Sequence, residues 1–290
     1  MKKQDNGSKV FSITIGVMLA FYAFLMLLMI YFTVITSLKS FMDYDANPIG
    51  FPSEWKFDNY VKAFSAFKVP VENGKYMVYF GEMFMYSFYY AFMSAIFSTI
   101  VPCVVAFLVT KYDFAFNKVI YTTVIVAMIL PIVGSLPSEI QIAKTFGLYN
   151  NLLHPLMKAT YLGQYFLVFY ATFKGFSKEY YEAAEIDGAG QFTVMARIAM
   201  PLIINSIIAV FILQFITFWN DYAGPIIYLQ DYPTAAVGLF RYVYNPTTQE
   251  ASTITLRMAG CMLLFLPTLI VFLCFKNVFM GNLTIGGIKG

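Results

Sequence analysis

Six stretches of this sequence contain no Asp, Glu, Lys or Arg, and their lengths constrain the fold more than any other feature. A helix that crosses the bilayer core needs about 17–25 apolar residues. Five of the stretches reach that length. The fourth is shorter, but residues 154–158 can extend it, with the Lys158 side chain reaching toward the lipid headgroups. The six stretches are residues 11–38, 83–110, 119–138, 159–173, 198–220 and 258–275.

The composition also indicates a membrane protein. Charged residues make up only 12% of the chain, against about 25% in soluble proteins. The first stretch is too long for the core of a signal peptide, and no small-residue cleavage site follows it, so we expect a retained helix. The sequence therefore predicts an all-α membrane protein. Six transmembrane helices occupy residues 11–276, between an N-terminal segment, 1–10, and a C-terminal tail, 277–290.

An even number of spans places both termini on one side of the membrane. Lys2 and Lys3 precede the first helix, and Lys111 and Lys118 flank a short turn on the same side. Basic residues favour the cytoplasmic side, so we expect both termini to lie in the cytoplasm and the chain to lie in the cytoplasmic (inner) membrane. The net charge of +3 is too small to indicate a nucleic-acid partner.

The connections between the helices predict no soluble domain. We expect exterior loops at about 39–78, 139–157 and 229–251, and a long interior loop at about 174–201. No G-x-x-x-x-G-K-[ST] motif for nucleotide phosphates occurs, so ATP-driven work would need a separate ATPase. His154 is the one histidine and is read as a capping or interfacial residue. Since no cluster of metal ligands or catalytic side chains is present, we expect no metal site and no enzyme activity.

The interior loop contains "EYYEAAEIDGAGQF" at residues 179–192, an unusual concentration of charge in so apolar a chain. Ser177 is a plausible N-cap for a helix that runs to Glu185, since acids in a first turn favour the positive end of the helix dipole. Gly188 would break that helix. A second helix would follow from about 192 to 200, with Pro201 in the first turn of the fifth span. A solvated hairpin and a docking surface for another protein have comparable weight on this pattern alone.

Several motifs resemble the membrane subunits of binding-protein-dependent ABC importers. "EAAEIDGA" (182–189) followed by "IAMP" (198–201) is similar to the family's EAA signature, with Met200 in place of the usual leucine. "FWNDYAGP" (218–225) resembles an element of carbohydrate importers. "FGLYNN" (146–151) and "GNLTIGGIKG" (281–290) resemble a bend and the tail of maltose-transporter G-type permeases. The resemblance extends over the whole chain.

The resemblance implies a fold, a function and partners. The fold would be that of an ABC type I importer permease with a cytoplasmic coupling helix. The partners would be a second homologous permease, two ATPase subunits that bind ATP and Mg, an extracytoplasmic sugar-binding protein and the lipid bilayer. This chain itself would bind no cofactor. The residues that the resemblance assigns to ATPase coupling are Glu182, Ala183, Ala184, Asp187, Gly188, Ala189, Ile198 and Pro201.

The fifth span offers candidate residues for a transport path. Gln214, Thr217 and Asp221 share one helix face, and Asn220 lies beside them near the exterior boundary. Polar side chains at membrane depth usually face protein or water, so hydrogen bonds to neighbouring helices explain Gln214 and Thr217 about as well as a cavity does. We expect an importer of a carbohydrate, and the resemblance favours an oligosaccharide. The alternatives are a polyol or glycerol-phosphate importer, an ion-coupled carrier and, last, an intramembrane enzyme.

Overall fold

The computed structural model describes residues 6–130, 134–177, 179–244 and 253–283. Most of the "GNLTIGGIKG" ending lies outside these residues. The described chain is mostly helical and divides into two compact units. The first unit combines the chain up to Lys68 with Leu239–Leu266, and the second combines Val69–Gly238 with the chain from Pro267 onward.

Fourteen α-helices and one two-stranded sheet account for most of the described residues. The sheet pairs β1 (Lys68–Val71) with β2 (Tyr76–Tyr79), and a 3-10 helix spans His154–Thr160. In chain order the helices are α1 (Asn6–Ser37), α2 (Phe41–Ala46), α3 (Asp58–Ala66), α4 (Phe80–Lys111), α5 (Asn117–Ile129), α6 (Leu136–Thr145), α7 (Gly163–Lys174), α8 (Glu179–Ile186), α9 (Gln191–Val194), α10 (Met200–Leu202), α11 (Ile204–Trp219), α12 (Ala223–Tyr228), α13 (Ala235–Tyr244) and α14 (Ile254–Leu283). A π-helical turn, Met195–Ala199, joins α9 to α10.

In the first unit, polar side chains fix the end of α1 against the following loop. The Lys39 side chain is fully buried and its ammonium donates to the carbonyls of Asn47 and Pro48. Asn59 of α3 donates to the carbonyls of Ser37 and Lys39, each at 2.8 Å. These bonds satisfy carbonyls that the end of a helix leaves without partners. Upstream of this anchor, the α1 side chains are exposed from residue 10 to residue 31, as expected of a surface that faces lipid or another subunit.

In the second unit, α4 is the central helix and packs against α7, α11 and the 3-10 helix. Its buried face is made mostly of small residues, including Ala91, Ala95, Ser98 and Ala106. Small side chains let helix backbones approach closely in membrane proteins, where the hydrophobic effect does not drive helices together. The buried serine hydroxyl at position 98 donates to the Ser94 carbonyl at 2.7 Å, which keeps it satisfied inside the helix pair.

The structure supports membrane-spanning helices but gives a smaller count than the sequence predicts. By length and composition, three helices in the described chain are able to cross a membrane: α1, α4 and α14. A fourth arises if the bent pair 191–202 and 204–219 is one span. Each of the six charge-free stretches contains helix. However, α5 and α7 have 13 and 12 residues, about 18–20 Å at 1.5 Å per residue, which is short of a bilayer core.

The third predicted span, 119–138, is interrupted. Helix α5 ends at Ile129, and Leu130 is extended, with φ −74° and ψ 116°. Leu130 precedes Pro131 in the sequence, and a residue before proline is disfavoured in the α-helical region. Helix α6 then starts at Leu136, with Pro137 in its first turn, where a missing N–H costs nothing. The two prolines therefore end one helix and start another, whereas the charge-free stretch predicted a single span.

Candidate coupling loop and polar cavity

Helix α8 ends in a glycine-dependent turn at the position that the sequence predicts. Gly188 has φ +77°, a left-handed conformation that glycine adopts without strain. Its N–H donates to the Glu185 carbonyl at 3.0 Å, and the Ala189 N–H donates to the Ala184 carbonyl at 2.9 Å. This pair of bonds is a Schellman motif, which satisfies the last carbonyls of the helix. At the other end, the Glu179 N–H donates to the Ser177 hydroxyl at 3.3 Å.

The second half of the loop is helical but bends before the membrane helix. Gly190 is the N-cap of α9, which continues through the π-helical turn into α10. The chain then turns by 76° between 191–202 and 204–219. Pro201 was expected in the first turn of the fifth span, and this is wrong, because α11 begins at Ile204, after the bend. Pro201 lies in α10, where it lacks an N–H donor to the preceding turn.

Lys111 joins the end of α4 to both helices of the loop. Its side chain is only 7% exposed, and its ammonium lies 2.9 Å from a Glu185 carboxylate oxygen. It also donates to the Gln191 side-chain oxygen at 2.7 Å, and the Gln191 amide donates to Glu185 at 3.3 Å. The hydrogen bonds from Lys111 and Gln191, and the lysine charge, hold the pKa of Glu185 below its ordinary value of 4.5. The sequence pattern indicates only a role in membrane orientation for Lys111, and the structure adds these contacts.

The inward face of α8 belongs to the hydrophobic core of the second unit. Tyr181 and Ala184, three residues apart, are each 8% exposed and pack in a cluster with Phe107, Phe173 and Val194. The Phe107 and Tyr181 rings meet edge to face at 5.9 Å. The resemblance assigns both Ala183 and Ala184 to ATPase coupling, but the two side chains lie on different faces, because Ala183 is exposed and Ala184 is buried.

The outward face of the loop combines acids with large apolar side chains. Glu182, Ala183 and Asp187 are exposed, and Ile186 and Phe192 are 86% and 76% exposed. Exposed apolar side chains rimmed by charge are typical of protein interaction sites. Sequence reasoning named the acids and missed both apolar residues, although each lies inside the quoted stretch. Of the remaining candidate residues, Ala189 and Ile198 pack partly buried against the core cluster, and Pro201 is exposed.

A polar cavity of about 670 Å³ opens elsewhere in the second unit. Six helical elements bring polar side chains to it, and Gln214 of α11 is the one predicted path residue on its wall. The other polar side chains come from parts of the chain that no sequence motif connects, and they include Ser98, Glu139, Lys158 and Gln164. Such a mixture of amides, charged groups and aromatic rings suits a polar solute.

Aromatic rings form part of the cavity wall and organise its charged groups. His154 is buried and stacks on Tyr228, with ring centroids 4.6 Å apart. The Tyr228 hydroxyl donates to Glu139 at 3.1 Å. The Lys158 ammonium lies 5.3 Å from the centre of the Phe218 ring, within range of a cation–π interaction. Lys158 was expected to reach for lipid headgroups, and it lines the cavity instead.

The other predicted path residues have local partners. The Thr217 hydroxyl donates to the Leu213 carbonyl at 2.8 Å, and the Asn220 amide donates to the Ile216 carbonyl at 2.8 Å. Asp221 accepts a hydrogen bond from the Tyr90 hydroxyl at 2.8 Å and another from the Gly224 N–H at 3.0 Å. None of the three is on the wall of the polar cavity. Asp221 therefore ties the end of α11 to α4.

The bend at 146–151 joins two loops on one side of the second unit. Gly147 and Asn150 have positive φ values of 69° and 50°, which glycine and asparagine tolerate best. The Asn150 side chain donates to the Asp231 carboxylate, and the Asp231 N–H donates back to the Asn150 side-chain oxygen at 2.9 Å. The glycine and asparagine of this motif are thus explained by backbone geometry and by a reciprocal pair of hydrogen bonds.

Comparison with known proteins places these features in a family. Residues 98–282 match the family described as "Binding-protein-dependent transport system inner membrane component". Across its whole length the chain is 27% identical to the full length of the arabinooligosaccharides transport system permease AraQ of Halalkalibacterium halodurans. It is 26% identical over 90% of each chain to the melibiose/raffinose/stachyose import permease MelC of Bacillus subtilis.

Further matches concern a different solute and a solved structure. The chain is 27% identical, over 70% of its length and 73% of the relative's, to the sn-glycerol-3-phosphate transport permease UgpE of Yersinia pestis. A chain from the crystal structure of a bacterial ABC transporter involved in import of the acidic polysaccharide alginate superposes with a TM-score of 0.73 at 17% identity. That match covers 96% of this chain and 99% of the other. The family match covers well over half of the sequence, so the chain belongs to the inner membrane components of binding-protein-dependent transport systems.

Proposed function

We propose that the chain is one permease subunit of an ATP-driven importer for a carbohydrate, with an oligosaccharide as the favoured cargo. The observation that carries the proposal is the loop 177–202, whose inner face is fixed to α4 and whose outer face presents acids and apolar side chains. The family membership and the relatives named for oligosaccharides support this reading. Catalysis of ATP hydrolysis belongs to separate ATPase subunits that hold ATP and Mg.

The proposed topology is that of a type I importer permease. Six spans follow from the six charge-free stretches if α5 and α7, with the residues next to them, each cross the membrane. Both termini then lie in the cytoplasm, together with the turn at 112–116 and the loop 177–202. The loops at about 39–78, 139–157 and 229–251 face outward, and a sugar-binding protein docks there. A second, homologous permease completes the path.

The mechanism couples closure of the ATPases to alternating access. An ATPase groove receives the exposed face of α8, where Glu182 and Asp187 attract basic residues and Ile186 supplies apolar contact. Lys111 transmits movement of α8 and α9 to α4, because it bonds to both Glu185 and Gln191. Helix α4 packs on α7 and α11, so a rigid-body shift of this helix changes the walls of the polar cavity.

A charge reversal tests the docking step. We expect Glu182→Lys to lower the amount of ATPase that co-purifies with the permease, most strongly at low salt, because the exposed carboxylate steers basic partner residues. Lys75→Glu is the matched control, because it also changes the charge of an exposed side chain by two units, but outside the loop. It should leave the amount of co-purified ATPase unchanged. Unchanged co-purification of the Glu182→Lys permease at both low and moderate salt would exclude the acidic edge as a docking determinant.

A second cargo class, glycerol phosphate or a similar anionic solute, has a specific observation in its favour. Lys158 places a positive charge on the cavity wall, and one relative is named for sn-glycerol-3-phosphate. Uptake by the reconstituted transporter, with its binding protein, distinguishes the two classes. We expect ATP-dependent uptake of labelled oligosaccharides that excess glycerol 3-phosphate does not reduce. The opposite pattern would assign the anionic cargo, and uptake without ATP would indicate an ion-coupled carrier.

A further inference from the structure

A second cavity, of about 450 Å³, lies beside α8 and is separate from the polar cavity. The C-terminal ends of α4 and α7 and the N-terminal end of α5 meet there. Its volume is within the roughly 300–1,000 Å³ of small-ligand sites. Three helix ends at one level, together with lysine and tyrosine side chains, are typical of the boundary between a bilayer and water.

The wall of this cavity is positively charged. Three of its lining residues are lysines, Lys111, Lys118 and Lys174, and Asp113 is the one acid among them. Lys111 is neutralised by Glu185. Lys118 and Lys174 are exposed, and neither has a carboxylate within 4.0 Å in the described part of the chain. A cavity with two cationic groups free of ion pairs favours an anionic ligand.

Two residues on the same wall each carry a buried polar atom that has no hydrogen-bond partner among the described residues. One is the hydroxyl of Tyr181, a residue that is only 8% exposed. The other is the side-chain oxygen of Asn117. The Asn117 amide nitrogen donates to the Tyr112 carbonyl, which fixes the orientation of the side chain and leaves its oxygen as an acceptor. Buried polar atoms without partners are rare and costly, so their presence on a cavity wall points to a ligand.

The chemistry of these groups defines the ligand. The lysines and the Tyr181 hydroxyl donate, which suits a phosphate group, whereas the Asn117 oxygen accepts and therefore requires a hydroxyl or ammonium on the ligand. An ammonium would be repelled by Lys118 and Lys174. The Tyr121 and Tyr170 rings, 4.8 Å apart, supply an apolar wall next to the polar groups.

We propose that this cavity binds the headgroup of an anionic, hydroxyl-bearing phospholipid, such as phosphatidylglycerol, at the edge of the bilayer. The phosphate would lie among Lys118, Lys174 and the Tyr181 hydroxyl, and a glycerol hydroxyl would donate to Asn117. The proposed function puts α8 on the cytoplasmic side, which would place this lipid in the inner leaflet, and only that choice of leaflet rests on the proposed function. The lipid would contact Tyr181, whose helix forms the coupling loop.

The test is lipid retention by the purified full chain in nanodiscs, measured by native mass spectrometry. The nanodiscs contain phosphatidylcholine with equal small fractions of phosphatidylglycerol and phosphatidylethanolamine. We expect one retained phosphatidylglycerol per wild-type chain. In the double variant Lys118→Gln/Lys174→Gln, its apparent affinity should fall about 30-fold, as two lysines near a membrane surface imply. Lys68→Gln/Lys75→Gln, which changes two exposed lysines outside the cavity, should leave retention unchanged.

A second variant keeps the test informative if the double variant is unstable. Tyr181→Phe removes one oxygen and should lower the affinity about tenfold. Equal retention by wild type and both variants, or equal retention of all three lipids, would overturn the proposal. Binding of glycerol 1-phosphate in pure phosphatidylcholine nanodiscs, without lysine-dependent retention of phosphatidylglycerol, would instead assign the site to a soluble phosphate ester. Transport is not measured here, so failure of the lipid proposal leaves the permease proposal untouched.

Discussion

The loop 177–202 and the polar cavity show two ways in which a sequence builds a site. The shape of the loop is set locally, by the Schellman turn at Gly188 and the N-cap at Gly190. No single segment builds the cavity, because its polar side chains come from α4, α6, the 3-10 helix, α7, α11 and α12. Local geometry leaves a readable motif in the sequence, whereas a wall assembled from distant helices does not.

This difference predicts that backbone changes damage the loop and side-chain changes damage the cavity. The largest effect should come from Gly188→Val. A branched residue at φ +77° costs more than the roughly 1–2 kcal/mol typical of left-handed conformations, so α8 should lose its C-terminal turn and uptake should nearly cease. Gly188→Asn, a residue that tolerates this conformation, should retain much of the activity. ATP-dependent uptake in vesicles, normalised to the amount of inserted permease, is the measurement.

Beyond the two neighbouring residues, no atom lies within 4 Å of a Cβ placed at Gly188, so the conformation of the backbone, and not crowding at the Cβ, distinguishes these variants. Equal activity of the valine and asparagine variants would show that the left-handed turn is dispensable. The charged variant Gly188→Asp should fall between them if only the turn matters. The uptake of the aspartate variant should be as low as that of the valine variant if an ATPase groove encloses residue 188.

Lys111 should have the next largest effect, because it alone connects α4 to both helices of the loop through side-chain bonds in the described chain. We expect Lys111→Met to lower ATP-dependent uptake at least about tenfold, since it leaves Glu185 and Gln191 without their shared donor. Insertion into the membrane and retention of the second permease should stay normal. Lys111→Arg should recover part of the activity. Wild-type uptake by the methionine variant would remove Lys111 from the coupling path.

The cavity offers a matched pair on one helix. Gln214 faces the cavity, whereas the Thr217 hydroxyl bonds to its own helix. Gln214→Leu should lower uptake by about 2- to 10-fold, the range expected for one lost hydrogen bond to a solute, with no change in ATPase co-purification. Thr217→Val should alter uptake by less than about twofold. The reverse order would place the transport path at Thr217 and not at the polar cavity that Gln214 lines.

The smallest effect concerns acid pH. The pKa of Glu185 is lowered by hydrogen bonds from Lys111 and Gln191, so its contact stabilises the loop above pH 4.5. That contribution disappears as the pH falls below 4.5 and the carboxylate takes up a proton. Hydrogen exchange of the α8 amides should therefore be constant from pH 7 to pH 5, after correction for intrinsic rates, and should accelerate below pH 4.5. In the Glu185→Gln variant this pH dependence should disappear. If exchange in the wild type did not accelerate below pH 4.5, or if the variant kept the wild-type profile, the ion pair would be contradicted.

The sequence predicted helix in every charge-free stretch and the bend at Gly188, because these depend on composition and on single residues. It missed the break after Ile129, although Pro131 gives a physical reason for it. Ile186 and Phe192 were overlooked because exposure is a property of packing, which a local pattern does not report. For the same reason, the sequence predicted that the Lys158 side chain reaches the lipid headgroups, whereas it lines the cavity. The partners of Lys111 lie 74 and 80 residues away along the chain, beyond the reach of any periodic pattern.

The coupling role of α8 is tested most directly by disulfide or maleimide cross-linking between the permease and its ATPase. The three native cysteines are replaced by alanine, and single cysteines are introduced at Ile186, which is 86% exposed, and at Ala184, which is 8% exposed. We expect Ile186→Cys to cross-link to the ATPase in a yield that ATP changes, and we expect Ala184→Cys not to cross-link. Absence of any cross-link at position 186, with transport intact, would contradict the claim that α8 is the coupling helix.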